Sequence, residues 1–168
     1  MRPISLHVYW YLIPVAVIVG IDEWLKAQAL QWLPDEGSLV DPSVLLFAIH
    51  KNLGVAFDIP FRLEFIILFS AIIGFGLLHI AYKNLRTHPD ITLATAIIVL
   101  GALGNLYDRV AYGFTVDYII LFARSAINLS DIVIVTGVIL LLLCSRRTKK
   151  RKIFTQTNRS TDSANGQN

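Results

Sequence analysis

The residues able to do chemistry in this chain gather at a few places. Asp22 and Lys26 stand four apart, the spacing that lets an acid and a base pair across one helical turn. Asn105, Asp108 and Arg109 fall at i, i+3 and i+4, so on a helix Asn105 neighbours both of the others. Asn128 and Asp131 are three apart and share a face. Asp117 follows a turn that Gly113 permits, and the stretch from Asp117 to Asp131 is short enough to bring those two carboxylates together. Two carboxylates facing each other in a partly dry site cannot both ionise cheaply: one keeps a proton, the other stays charged, and they titrate as a unit. Such a pair suits peptide hydrolysis without a metal. The charged member takes a proton from the attacking water; the neutral member donates to the carbonyl oxygen and then helps the amine leave. Nearby asparagines and an arginine could orient the acids and bind substrate backbone. For any one of these acids a structural reading stays open, with Asp22–Lys26 and Asp108–Arg109 as plain ion pairs.

The elements that must position these groups are membrane helices. Of 168 residues, 55% are hydrophobic and only 16% charged, too apolar for an ordinary soluble domain of this size. The apolar residues come in four blocks, about Val8 to Leu30, Leu63 to Tyr82, Ile91 to Tyr107 and Ala126 to Cys144, each near the roughly 20 residues that span a bilayer. The expected fold is an all-α membrane protein: four transmembrane helices with a small extracytoplasmic β region. Residues 1–145 form the single helical domain, and 146–168 a basic, disordered cytoplasmic tail. Ionisable groups in or beside such spans are functional suspects by default, and here they collect at one end of helices one, three and four.

Charge distribution sets the orientation. Arg2, Lys83, Arg86, Arg146, Arg147, Lys149, Lys150, Arg151, Lys152 and Arg159 fall on one side, ten of fifteen basic residues, whereas the acids from Asp22 to Glu64 and from Asp108 to Asp131 fall on the other. Basic residues near helix ends favour the cytoplasm, so both termini are expected there. The basic tail directly follows a membrane helix, which favours a membrane role over nucleic-acid binding. The first block also has features of a cleavable signal peptide, with Ala27-Gln28-Ala29 as a cleavage-like site, but three further spans and the charge asymmetry favour a retained helix.

The first connection carries Pro34, Gly37, Pro42, Gly54 and Pro60 around two β-prone runs, 44–49 and 55–57, and is expected to form a small sheet or ribbon. The second, Lys83 to Asp90, is short and polar. In the third, Asp108 to Ser125, the run Tyr118 to Phe122 is expected at the membrane interface. Gly101-Ala102-Leu103-Gly104 reads as a close helix-packing surface, and Trp10, Trp24 and Trp32 as interface anchors. The lone Cys144 has no partner for an internal disulfide. His50 and His79 belong to no visible metal or triad spacing, and neither metal nor cofactor is expected.

These motifs together resemble the lipoprotein signal peptidase (signal peptidase II) family. Asn52-Leu53-Gly54-Val55-Ala56-Phe57 is similar to its N-x-G-x-A-F block. Gly101 to Arg109, followed by Gly113 and Val116-Asp117-Tyr118, is similar to its G-A-x-G-N-x-x-D-R block and the V-D that follows. Asn128-Leu129-Ser130-Asp131 resembles its N-x-A-D block, and Asp22 with Lys26 its D-x-x-x-K pair. The likeness runs over about residues 8 to 145. It implies a catalytic dyad of Asp117 and Asp131. Asn52, Gly54, Asn105, Arg109 and Asn128 would support the site and contact substrate, and Asp22, Lys26 and Asp108 would hold the framework. It also implies a prolipoprotein substrate cut just before a lipobox cysteine that carries diacylglycerol, membrane lipids as partners, and residence in the bacterial cytoplasmic (inner) membrane; a monomer is the expected state. Departures are Ile127 where Phe is usual, Ser130 for Ala, Leu25 for a small hydroxyl residue, and the added charge of Glu23. Two other readings use the same acids: a small proton-coupled transporter, which should carry its charges near the midplane, and an inactive relative that binds lipidated peptides without cutting them.

Overall fold

A computed structural model of the protein describes residues 10–36, 45–55, 59–122 and 125–165. Expectations resting on Arg2, Val8, Gly37, Pro42, Val44, Ala56 and Phe57 lie outside them. Four helices form from the four apolar blocks: α1 (Leu12–Trp32), α2 (Leu63–Asn84), α3 (Pro89–Tyr112) and α4 (Leu129–Asn165). Pro89 opens α3, where a missing N–H leaves no helical bond unmade, and Gly113 closes it in the left-handed region with φ 84°, a conformation that glycine adopts without strain. Among the described residues, three helices are long and apolar enough to cross a membrane: α2, α3 and the Leu129–Arg147 part of α4. The fourth expected span, α1, has 21 residues but carries Asp22, Glu23 and Lys26. Where a disordered tail is expected, α4 continues to Asn165; no proline interrupts the stretch, and each added residue extends a helix already nucleated.

α3 is the central helix and packs against the other three. Its Ile91, Ala94, Ile97, Ile98 and Gly101 are buried, whereas α2 buries only Ile66 and exposes Phe65, Leu68, Phe69, Ile72, Ile73 and Phe75. A helix apolar all round and largely uncovered is suited to hydrocarbon rather than water. Trp10, Trp24 and Trp32 are exposed as well.

Small residues let α3 and α4 approach. A Cβ on Gly101 would stand 2.9 Å from the Ser130 carbonyl oxygen, and one on Gly104 would stand 2.7 Å from Ser130 Oγ, so the packing role read from this segment holds. On α4, a Cβ at Gly137 would lie 2.7 Å from Ile98 Cγ1 and 2.9 Å from the Ile98 backbone nitrogen. Gly137→Ala must therefore part the helices, and a loss of about 1–3 kcal/mol is expected. Gly76→Ala on α2 meets nothing within 4 Å and should be neutral or stabilising by up to about 1 kcal/mol. Thermal unfolding of the two variants in detergent checks the contrast.

The β region draws on the first and third connections rather than the first alone. β1 (Leu45–Asn52), β4 (Thr115–Leu121) and β5 (Ser125–Ile127) form an antiparallel sheet in the order β1-β4-β5, and β2 (Gly54–Val55) pairs with β3 (Ile59–Pro60). Most of the run expected at the membrane interface is thus the central strand, with Tyr118 and Ile120 buried. It had no visible partner locally, because β1 lies some seventy residues upstream. Ala29, Ile49, Val116 and Tyr118 form a buried cluster that seats the sheet on the end of α1.

Candidate active site

Asn128 is the residue just before α4, and it caps that helix. Its side-chain Oδ1 accepts the Asp131 backbone N–H at 2.9 Å, and the Asp131 carboxylate accepts the Asn128 backbone N–H at 3.3 Å. This reciprocal pair is a capping box with Asn and Asp in place of the commoner residues, and it fixes Asp131 in the first turn. Asp117 arrives from another direction. It is the third residue of β4, two positions before the Ile119↔Ile127 pair that joins β4 to β5. β5 then delivers the chain straight to Asn128.

The two acids meet through that asparagine. Asn128 Nδ2 donates to Asp117 Oδ1 at 2.6 Å while its backbone N–H serves Asp131. Asn52 Nδ2, from the end of β1, donates to the other Asp117 oxygen at 3.0 Å. The Asn52 Oδ1 accepts the Gly54 N–H at 3.1 Å, a local turn that holds the side chain and accounts for Gly54 at that spacing. Asn105 Nδ2 donates to Asp131 Oδ1 at 2.7 Å, and Asn105 Oδ1 accepts from Asn128 Nδ2 at 3.1 Å. Three asparagines from β1, α3 and the α4 cap thus supply the donors around two carboxylates. Arg109 Nη2 lies 3.5 Å from the Gly54 carbonyl oxygen and in the field of both acids.

Burial dominates the electrostatics of Asp117, which is 1% exposed. Desolvation, helped by the charge of Asp131, pushes its carboxyl from 3.8 to about 7, against the opposing pull of Asn52, Asn128 and His50.

Beneath the pair lies a second charged cluster. Lys26 Nζ sits 3.1 Å from Asp22, 2.9 Å from Asp108 and 3.0 Å from Glu23, and donates to Asn105 Oδ1 at 3.3 Å. Asp22, Lys26 and Asp108 are all buried. The Asp22–Lys26 pair is present as the spacing suggests. Asp108 instead turns to Lys26 and to the Val116 backbone N–H at 3.1 Å, because adjacent helix residues point about 100° apart and do not face each other. Its other oxygen is buried with no hydrogen-bond partner among the described residues.

Two contributors escape a reading of the sequence. Asp22 accepts from the Leu129 and Ser130 backbone N–H groups at 3.0 and 3.1 Å, from Ser130 Oγ at 2.6 Å and from the Tyr118 hydroxyl at 2.8 Å. It therefore satisfies the first N–H groups of α4 from another helix, which the helix terminus requires. Ser130, a departure from the family pattern, is one of its anchors; Tyr118, whose phenol is pushed up by burial and by Asp22, stays a donor. Only the serine substitution itself could have signalled this. An apolar hollow of about 380 Å³, lined by Leu25, Ala29, Trp32, Phe47, Ile119 and other residues, opens beside Tyr118 and Leu129 and touches neither acid. Among the described residues, no three His, Cys, Asp or Glu side chains are grouped to hold a metal ion.

A sequence model described as Signal peptidase (SPase) II matches residues 14–147. A lipoprotein signal peptidase of Halothermothrix orenii is 32% identical over 134 residues, covering 78% of this chain and 91% of its own. That of Syntrophomonas wolfei is 36% identical over 128 residues, covering 76% and 86%. A solved bacterial membrane enzyme superposes with a TM-score of 0.72 at 27% identity, over 83% of this chain and 90% of its own, and a second with 0.66 at 28%, over 78% and 89%. With the matched residues reaching from α1 into α4 and enclosing every carboxylate described above, the chain belongs to the signal peptidase II family.

Proposed function

We propose that the protein is an aspartic endopeptidase of the bacterial cytoplasmic membrane. It removes the signal peptide from prolipoproteins, cutting just before a cysteine that already carries diacylglycerol. The reading is carried by one observation: Asn128 donates its side-chain amide to Asp117 and its backbone N–H to Asp131, so two acids from separate elements meet at one buried residue. In this reading all four helices span the bilayer with both termini cytoplasmic, the sheet lies outside, and the chain works as a monomer. The substrate's acyl chains stay in lipid while its scissile bond reaches the acids.

Asp117, with a carboxyl near 7, is the member that holds the proton and donates it to the scissile carbonyl oxygen. Asp131, fixed by the α4 cap and by Asn105, takes the proton of the attacking water. As the tetrahedral intermediate collapses, that proton passes to the leaving amine and the intermediate's hydroxyl proton returns to Asp117, which restores the pair. Arg109 and the Asn52–Gly54 turn stand beside the acids to hold substrate backbone.

The test is cleavage of a purified prolipoprotein in lipid or detergent. A single cut before the lipid-modified cysteine is expected, with no cut in the unmodified precursor and no loss on adding a chelator. A raised carboxyl pKa means that the neutral acid persists to higher pH. kcat/KM should therefore be maintained up to about pH 7 and fall about tenfold per unit above it as the shared proton is lost. A rate that goes on rising through alkaline pH would overturn the assignment of Asp117 as the acid. No cleavage of any lipidated precursor would favour the inactive relative.

A further inference from the structure

The β1–β4 register sets His50 directly opposite Asp117. Directly opposed residues of an antiparallel pair project from the same face, with Cβ atoms about 4.5–5.5 Å apart. Ile49 and Lys51 project the other way, Ile49 into the cluster beneath the sheet. The His50 side chain is only 18% exposed, and its Nδ1 lies 2.9 Å from Glu36 Oε1. Glu36 belongs to the segment leaving α1, which is tied along β1: Ile49 N–H donates to the Pro34 carbonyl at 2.9 Å, and Asp35 bridges Ile49.

We propose that His50, held by Glu36, is a positioning residue for the acid pair, setting an imidazole that is positive when protonated against Asp117. The proposal rests on the protease reading above. An imidazolium there favours the Asp117 carboxylate and opposes the burial that favours the neutral acid. Glu36 steadies the charged ring. Among the described residues, Lys51, on the far face of β1, pairs with Asp35 at 3.2 Å, and Asp117 itself also feels Asp131 and Arg109.

The experiment is the pH dependence of kcat/KM for the full-length protein on a diacylglyceryl-modified precursor, each variant normalised to its own maximum. His50→Gln removes the charge and should move the alkaline limb up by about half a pH unit. His50→Lys makes the charge permanent and should move it down by at least as much. Glu36→Gln should move it in the same direction as His50→Gln, and it keeps the test alive if a His50 variant fails to accumulate. A lower maximum with an unmoved limb would mean a purely structural histidine and would overturn the proposal, as would limbs that coincide with wild type. Failure of the reading on which this rests is separable: no cleavage by the wild-type chain would defeat the protease, and normal cutting by an Asp117→Asn chain would remove Asp117 from the acid pair.

Discussion

Asp117→Asn and Asp131→Asn should each lower kcat by about 10³-fold or more with little change in KM. Proton transfer by a placed side chain contributes about 10²–10⁴ in rate, and an amide can neither take the proton of water nor give one to a carbonyl oxygen. The two losses should not multiply in the double variant, because both acids serve one transition state. Each substitution also turns an acceptor into a donor. Asn52 Nδ2 faces one Asp117 oxygen, and Asn105 Nδ2 faces one Asp131 oxygen. Neither neighbouring amide can flip freely, since Asn52 Oδ1 is committed to Gly54 and Asn105 Oδ1 to Asn128 and Lys26. One donor-to-donor contact costs about 1–3 kcal/mol, so unfolding in detergent must be measured beside turnover. Either variant cutting within tenfold of wild type, in a folded state, would remove that acid from the chemistry.

The helices, and the side chains that the structure brings together at the candidate site, were legible in the sequence, for identifiable reasons. Long apolar runs leave few alternatives to helices, and an i, i+3 pair such as Asn128 and Asp131 carries its own geometry. Interactions bridging distant parts of the chain were not. Tyr118 bonds Asp22 across 96 positions, and β1 supplies a partner for β4 from the far end of α2. An apolar run such as Tyr118 to Leu121 reads equally as interface or as buried strand until that partner is known. Adjacency offers Asp108 an ion pair with Arg109, but helix geometry sends the two apart and delivers Asp108 to Lys26. His50 carried no spacing signal, and its place opposite Asp117 follows only from the strand register, which shifts between Phe47 and His50.

Lys26→Met should be the most destabilising single change in the charged cluster, by about 3–5 kcal/mol. Lys26 is 1% exposed and is the one cation in contact with Asp22, Glu23 and Asp108 among the described residues. Methionine fills nearly the same space, so the loss is not one of packing. It comes from leaving Asp22 and Asp108 buried with no counter-charge, where the desolvation already incurred is no longer offset. If that is the cause, removing one stranded acid should recover part of it. Lys26→Met with Asp108→Asn should be about 1–2 kcal/mol more stable than Lys26→Met alone, a non-additivity expected only of groups that interact. Asn at 108 can keep its oxygen on the Val116 N–H, which makes Asp108 the safer partner to change; Asp22 also caps α4. Slackening of that cap would free the first turn that holds Asp131, so turnover should fall further than the folded fraction does. Denaturant unfolding of the three chains in one detergent decides it: a Lys26→Met chain within 1 kcal/mol of wild type would mean that the lysine is no keystone of the cluster.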